Sequence, residues 1–407
     1  MKCCFKNPNW LAVVSSFFSL ALLLCSPGLL QATEEYSFDL EEFEKKSFEW
    51  GGYLELKWDH INLNKDGAYN QLNADNNDRS SLDSLTGSLL IGADYTKGIV
   101  AIHGLFKAAG RQDNDEWTDL TEMYEAYVSI KPTPLFTAGL GKKSYKWGKG
   151  YAWNPVGFIN RRKDPNNPEE ALEGFTTAEI DLIKSFSSGP LQNAALTVAA
   201  LPVYGDVNDD FGEEDNMNMA AKLYLLYQDT DIDFVYFTGD SRSTRYGFDF
   251  SRNLASHFEI HGEMAYVPNQ KKPYLQDDGS VSIRETSALS YLLGLRYLST
   301  HDITSIIEYY HNGAGYSEDA LARFFQLIAD GENSGSDELL DKARDLSLRG
   351  YGRPYLGRNY LYARFTQKEP FDILYFTPAL TTIINLDDES YTITPEVMYT
   401  GFTNWEM

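Results

Sequence analysis

The sequence predicts an all-β chain: a transmembrane antiparallel β-barrel of about sixteen strands, with eighteen as the alternative. Its outside loops are expected to be long, and one of them to contain short helices. Three observations support this fold. The chain opens with an export segment, short stretches of alternating apolar and polar residues recur to its end, and the links between those stretches alternate between short turns and long polar loops.

The export segment comprises residues 1–32. Lys2 and Lys6 form a basic start, Leu11 to Leu24 an apolar run, and Leu30-Gln-Ala32 a cleavage site, which is the pattern of a secretory signal peptide. An uncleaved anchor is the alternative, but an apolar run of roughly 14 residues is short for a helical span, which takes about 20. We therefore expect export with cleavage near residue 32.

Composition narrows the function classes. All three cysteines lie within residues 1–32, so the exported chain can form neither a disulfide nor a thiolate metal site. Removing that segment leaves 33 basic and 59 acidic residues and a net charge near −26, which argues against nucleic acid as a partner. No later apolar run is long enough for a helical span, so residence in a bilayer requires strands.

The strand pattern is clear in residues 256–266. One face carries Phe258, Ile260, Met264 and Tyr266, and the other carries His257, Glu259, His261 and Glu263. Such alternation, over about ten residues, is typical of a strand with lipid on one side and a polar lumen on the other. The other candidates are 50–58, 85–95, 98–107, 121–130, 135–146, 176–186, 192–202, 217–228, 230–240, 245–252, 286–299, 302–311, 358–367, 372–384 and 389–400.

These strands divide the exported chain. Residues 33–48 are expected to form a periplasmic N-terminal segment, residues 49–402 the barrel, and residues 403–407 a tail or the start of a truncated strand. Long links are expected at 59–84, 108–120, 147–175, 203–216, 267–285 and 312–357. A soluble all-β sandwich, the alternative, would not require short and long links to alternate in this way.

The link 312–357 is expected to contain helices. Ser317 followed by two acids is a helix start, apolar residues then recur at helical spacing, and Gly331 is the expected end. A second helix is expected from Ser336 to Leu348.

A basic stretch follows the fifth strand, in a chain that is otherwise acidic. The candidates for pore-lining or constriction residues here are Lys143, Tyr145, Lys146, Lys149, Arg161, Arg162 and Lys163. Arg349, Arg353 and Arg358 could line the same mouth. Rings of Arg and Lys line anion pores, so these residues favour an anion-selective channel. The alternative is that they balance the acidic barrel wall or contact lipopolysaccharide.

The polar set His257, Glu259, His261 and Glu263 is expected to line the lumen. Side chains at alternate strand positions lie about 6.6–7 Å apart, too far for all four to bind one metal ion, so no metal site is assigned. Catalytic, phosphate-binding and haem-attachment motifs are not found in the sequence, which predicts neither an enzyme nor a cofactor.

Two stretches, Tyr145-Lys-Trp-Gly-Lys-Gly-Tyr-Ala-Trp-Asn-Pro155 and Phe48-Glu-Trp-Gly-Gly-Tyr53, resemble porin-like outer-membrane β-barrel proteins of the Gram-negative, proteobacterial type. The resemblance implies residence in the outer membrane, with outer-membrane lipid and lipopolysaccharide as surroundings. It implies a channel for passive or mildly selective diffusion of small hydrophilic solutes, anions among them. Some relatives look like sheaths for multihaem cytochromes, so a structural barrel around a cytochrome partner in trans-outer-membrane electron transfer is the alternative.

Overall fold

The computed structural model describes residues 47–62, 72, 81–113 and 116–401. Within them, sixteen strands form one antiparallel sheet in which each strand pairs with the next along the chain. The prediction of an all-β chain with sixteen antiparallel strands is confirmed. The strands are β1 (Phe48–Asn62), β2 (Ser81–Lys97), β3 (Val100–Asp113), β4 (Glu116–Thr133), β5 (Phe136–Lys143), β6 (Phe175–Ser185), β7 (Leu191–Val203), β8 (Asn216–Tyr227), β9 (Thr230–Thr238), β10 (Arg245–Ala255), β11 (Phe258–Leu275), β12 (Val281–Leu298), β13 (Ile303–His311), β14 (Asn359–Gln367), β15 (Phe376–Asn385) and β16 (Tyr391–Tyr399).

Three predicted segments fall wholly or largely outside the described residues. They are the signal peptide at 1–32, the N-terminal segment at 33–48 except for its last two residues, and the tail at 403–407. These assignments stay predictions.

Several strands are longer than their alternating cores. The links expected at 108–120 and 267–285 are largely wrong, because pairing continues to Asp113 opposite Glu116 and to Leu275 opposite Val281. Both faces of these extensions carry polar residues, so the period-two signal ends while the backbone ladder continues. The strand expected at 135–146 is instead shorter and ends at Lys143.

The two faces of the sheet differ in the way that a membrane barrel requires. On β11, Met264 and Tyr266 are 46% and 42% exposed, whereas the residues that precede them, Glu263 and Ala265, are 3% and 4% exposed. On β9, Phe234 is exposed and Asp233 is buried. On these two strands the polar face is therefore covered by protein, and the apolar face is open.

The buried face wraps around the link between β5 and β6, residues 144–174, which we call the inner segment. Lys107 on β3 lies 3.3 Å from Glu170 of this segment, and Thr394 on β16 lies 3.2 Å from its Asn166. Five further strands contact the inner segment, each through one acidic side chain. These are Glu125 on β4, Glu179 on β6, Asp233 on β9, Glu263 on β11 and Glu308 on β13. A sheet that touches one segment from β3 to β16 has curled into a barrel. Among the described residues, no backbone pairing joins β1 to β16.

The link between β13 and β14 carries two helices, α1 (Glu318–Ser334) and α2 (Asp337–Leu346). Both predicted helices are confirmed, but the end predicted at Gly331 is wrong. A Cβ on Gly331 would lie 2.9 Å from the Leu340 side chain, so this glycine permits close packing of α2. The helix α1 continues to Ser334 and is capped by Gly335, whose φ is 61°. No helix in the part of the chain that the structure describes is long and apolar enough to cross a membrane.

Candidate functional site

The inner segment is held inside the barrel by carboxylates of the wall. Glu263 accepts hydrogen bonds from the backbone N–H groups of Lys149 and Gly150, both at 2.6 Å, and of Val156 at 3.2 Å. It also accepts one from the Asn154 side chain at 2.9 Å. One buried carboxylate therefore fixes a turn of the segment by four hydrogen bonds.

A second carboxylate fixes the next two residues. Glu308 on β13 accepts hydrogen bonds from the backbone N–H groups of Tyr151 at 2.5 Å and Ala152 at 2.9 Å. Glu308 is fully buried, and His261 Nε2 lies 2.9 Å from Glu308 Oε1, the oxygen that accepts from Tyr151. Charge-assisted hydrogen bonds of this kind are stronger than neutral ones, especially away from water.

Two glycines allow the carboxylates to come this close. The φ of Gly148 is +105°, and a Cβ there would lie 2.6 Å from the Glu263 carboxylate. A Cβ on Gly150 would lie 2.1 Å from the Trp153 carbonyl oxygen. Because Gly148 and Gly150 carry no Cβ, the backbone N–H groups of the stretch Trp147-Gly-Lys-Gly-Tyr151 can approach the carboxylates of the wall.

Trp153 anchors the segment on its apolar side. Its ring stacks on Tyr310 at 5.1 Å between ring centroids and meets Tyr355, Tyr360 and Tyr362 within 6.0 Å. Aromatic packing from the wall and from the end of the helical link therefore complements the carboxylate anchors.

Three of the predicted pore-lining bases are neutralised by carboxylates. Lys143 pairs with Glu179, which also accepts from the Tyr145 hydroxyl at 2.8 Å. Lys149 lies 3.1 Å from Asp233. Arg161 pairs with Glu173 at 3.1 Å and with Asp210. These contacts match the alternative in which bases balance the acidic wall.

The remaining bases of the inner segment differ. Within the described residues, Lys146, Arg162 and Lys163 take part in no ion pair, and Lys146 and Arg162 are exposed. Lys163 donates to the Gly150 carbonyl oxygen at 3.0 Å, and burial lowers the pKa of its ammonium group. Although part of the Arg162 side chain is open to solvent, the protein around it removes water from the guanidinium group and so lowers its pKa, with a further contribution from the charge of Arg353.

The three arginines expected at the end of the helical link occupy different surroundings. Arg349 pairs with Asp345 at 2.9 Å on the exposed surface of the link. Arg358 donates from Nε to the Gly315 carbonyl oxygen at 3.3 Å. Arg353 is exposed and, among the described residues, has no ion-pair partner. Of these three arginines, Arg353 is the one whose charge contributes to the lowered pKa of Arg162.

The predicted polar row on β11 is partly rearranged. Because the strand begins at Phe258, His257 lies in the preceding turn, stacked edge-on against Tyr297 at 5.8 Å. Its placement on the strand was wrong. Glu259 accepts from Ser251 at 3.0 Å, while His261 and Glu263 are buried against the inner segment. Among the described residues, no three His, Cys, Asp or Glu side chains form a group that could hold a metal ion.

Sequence reasoning placed Glu263 on the lumen face but did not name the other acids around it as site residues. Asp233 and Asp249 lie in one buried row with Glu263 as cross-strand neighbours, and Glu308 lies two strands further on. The alternation of acids with apolar residues could have placed them on the lumen face, but their partners lie far away in sequence. Arg242 and Arg245, in and after the short link between β9 and β10, follow no pattern that would have marked them.

No family model matches this chain, and no curated protein matches its sequence. Solved structures with a similar fold include Pseudomonas aeruginosa OpdQ, at 10% identity and a TM-score of 0.46, over 88% of this chain and 89% of that chain. Salmonella typhi OmpF in complex with daunomycin is 8% identical, with a TM-score of 0.48, over 84% and 92%. A mutant of the Rh. blastica porin is 9% identical, with a TM-score of 0.44, over 86% and 98%. Identities and TM-scores this low carry no functional argument.

Proposed function

We propose that this chain is an outer-membrane channel for passive diffusion of small hydrophilic solutes, with a mild preference for anions. The observation that carries the proposal is the inner segment. It lies within the barrel and presents Lys146, Arg162 and Lys163 without carboxylate partners among the described residues. No enzymatic role is proposed.

The outward face supports residence in a bilayer. Large apolar side chains are exposed on strand after strand, among them Leu54, Leu140, Phe234, Met264 and Leu293. Soluble monomers rarely expose apolar surface on this scale, whereas a barrel in lipid requires it. Export through the predicted signal peptide would deliver the chain to the outer membrane, where lipid and lipopolysaccharide would surround it.

The occupied lumen favours a channel over a sheath. A sheath needs an interior open to its cytochrome partner, but here the inner segment is anchored across the interior from β11 and β13 by Glu263 and Glu308. Small solutes need only the space beside this segment. No contact among the described residues of the barrel supports the sheath alternative.

The preference for anions follows from which charges remain available. Lys143, Lys149 and Arg161 are neutralised locally, and the acids that pair with them are neutralised in turn. The buried carboxylates that anchor the segment face its N–H groups rather than open space. The unpaired bases are then the charges that would attract a permeating anion.

Planar-bilayer recording tests this proposal. We expect purified protein to form channels whose reversal potential in a potassium chloride gradient indicates a chloride preference. The double variant Lys146→Gln, Lys163→Gln should reduce that preference, because it removes two unpaired charges. Lys184→Gln is the control, since Lys184 lies over the Phe186 ring at 5.3 Å at the other end of the barrel. Absence of conductance, or cation preference in the unaltered protein, would refute the proposal.

A further inference from the structure

Four arginines from separate elements meet beside the inner segment; we call them the arginine cluster. They are Arg162 of the inner segment, Arg242 of the link between β9 and β10, Arg245 at the start of β10, and Arg353 after the helices. The fold brings together four positive charges from three separate parts of the sequence.

Contacts with Phe158 show how close two of them are. The Arg245 guanidinium lies 6.0 Å from the centroid of the Phe158 ring, and Arg242 donates to the Phe158 carbonyl oxygen at 3.4 Å. The guanidinium group of Arg242 also lies over the Phe211 ring, at 3.7 Å from the ring centroid. These aromatic contacts hold the guanidinium groups in place without neutralising them.

The other two members act on the first pair through their charge. Arg245 is repelled by both Arg162 and Arg353. Burial lowers the pKa of Arg242 to about 9, and repulsion from Arg245 and Arg162 contributes to the lowering. The cluster therefore concentrates positive charge at an energetic cost.

The described residues supply little counter-charge to the cluster. No ion pair there includes any of its members, and the carboxylate that attracts Arg242, that of Asp210, is already bonded to Arg161. In addition, Arg245 Nε is buried and has no hydrogen-bond partner. An unpaired buried donor among like charges is rare in folded proteins unless a ligand, ion or water completes the site.

We propose that the arginine cluster is a binding subsite for an oxyanion, taking the carboxylate or phosphate group of a small organic anion on its way through the lumen. The proposal rests on the channel function and adds to it a substrate class and a site. Exposed Arg162 and Arg353 would meet the ligand first, and Arg245 would donate from the wall.

The chemistry distinguishes oxyanions from halides. A guanidinium group offers two parallel N–H donors that match the two oxygens of a carboxylate or phosphate. Chloride accepts hydrogen bonds as a single sphere and cannot use that geometry. The subsite should therefore bind succinate or inorganic phosphate in preference to chloride, beyond the general attraction of the lumen for anions.

Isothermal titration calorimetry tests the subsite without requiring an open channel. The sample is the folded full chain in an uncharged detergent that is free of lipopolysaccharide. Sodium succinate and sodium phosphate are titrated separately against a sodium chloride background. We expect saturable binding of at least one of them, and the comparison shows whether carboxylate or phosphate is preferred. Absence of saturable heat with both would overturn the proposal.

Variants assign the site. Arg353→Gln, in an exposed part of the helical link, should weaken binding by about tenfold without affecting folding, because it removes a charged donor pair. Arg245→Gln should do the same, and Arg245→Lys should restore only part of the affinity. Arg111→Gln is the matched control, since Arg111 has its own partner, Asp113, at 2.7 Å. Binding unchanged in both glutamine variants would contradict the assignment.

Conductance separates this inference from the function on which it rests. Millimolar succinate or phosphate should reduce the chloride current of the unaltered channel saturably, and Arg353→Gln should require more of it. Binding by calorimetry without any conductance would refute the channel and keep the subsite. Anion-selective conductance without oxyanion binding would keep the channel and refute the subsite.

Discussion

Glu263→Ala tests whether wall carboxylates hold the inner segment in the lumen. The substitution removes the acceptor of three backbone N–H groups, those of Lys149, Gly150 and Val156. A buried donor left without a partner costs about 1–3 kcal/mol, so keeping all three in place would cost about 3–9 kcal/mol. That is comparable to the entire stability of many domains.

We therefore expect the segment to leave the wall, where water can satisfy its N–H groups, while the barrel stays folded because no strand pairing is lost. Single-channel conductance should rise and become noisier, and limited proteolysis should cut within residues 144–174. Glu263→Gln should have a smaller effect, since one oxygen remains to accept. Asp231→Asn is the control, because Asp231 accepts from Tyr224 and not from the inner segment.

The reasoning fails if Glu263→Ala folds normally yet shows unaltered conductance and no new cleavage. Such a result would mean that the aromatic contacts of Trp153 hold the segment without help from the wall. If the variant loses the barrel altogether, judged by heat-dependent migration in gel electrophoresis, the segment is required for folding and the anchoring role proposed here is incomplete.

Three further predictions concern separate parts of the molecule. Burial lowers the pKa of Lys163, and its positive charge is present only below that pKa, so raising the pH should reduce the chloride preference of the channel at a lower pH than an exposed lysine would allow. Reversal potentials measured across a pH series should show this loss, and the variant Lys163→Arg should largely abolish the pH dependence. Met264 is exposed on the apolar face, so Met264→Arg should destabilise the barrel in lipid vesicles by about 2–4 kcal/mol, as measured by urea titration. Leu348→Arg, at a residue that is 88% exposed on the helical link, should have no such effect, and equal effects of the two variants would contradict the assigned orientation. Phe324→Ala should reduce the local stability of the helical link by about 3–5 kcal/mol, because it opens the core in which Phe324 stacks on Tyr351. Protease should then cut the link while the barrel remains intact, and an uncut link would show that the link does not depend on this core.

The strands could be predicted from the sequence because their signal is local. Alternation such as Phe258, Ile260, Met264 and Tyr266 against acids and histidines follows directly from the two faces of one strand, and short polar links mark where the chain reverses. The signal fails where both faces are polar. The backbone pairing of β11 with β12 therefore continues to Leu275, although no apolar alternation in the sequence predicts it there.

The site could be predicted only in part, because its contacts are non-local. The basic residues between 142 and 163 are visible in the sequence, but their partners are not. The Gly150 N–H and the Glu263 carboxylate are 113 positions apart, and nothing in either neighbourhood indicates the pairing. Arg242 and Arg245 acquire their importance only when the fold brings Arg162 and Arg353 to them.

The acidic composition of the chain is a poor guide to the charge that a solute would meet. Glu263 and Glu308 are 3% and 0% exposed, and their oxygens are occupied by backbone N–H groups of the inner segment. Glu179 and Asp233 are likewise buried beside lysines. These carboxylates contribute to the net charge but are directed at the segment rather than at open space. A strongly acidic barrel can therefore favour anions, provided that its acids hold the segment while some of the segment's bases stay unpaired.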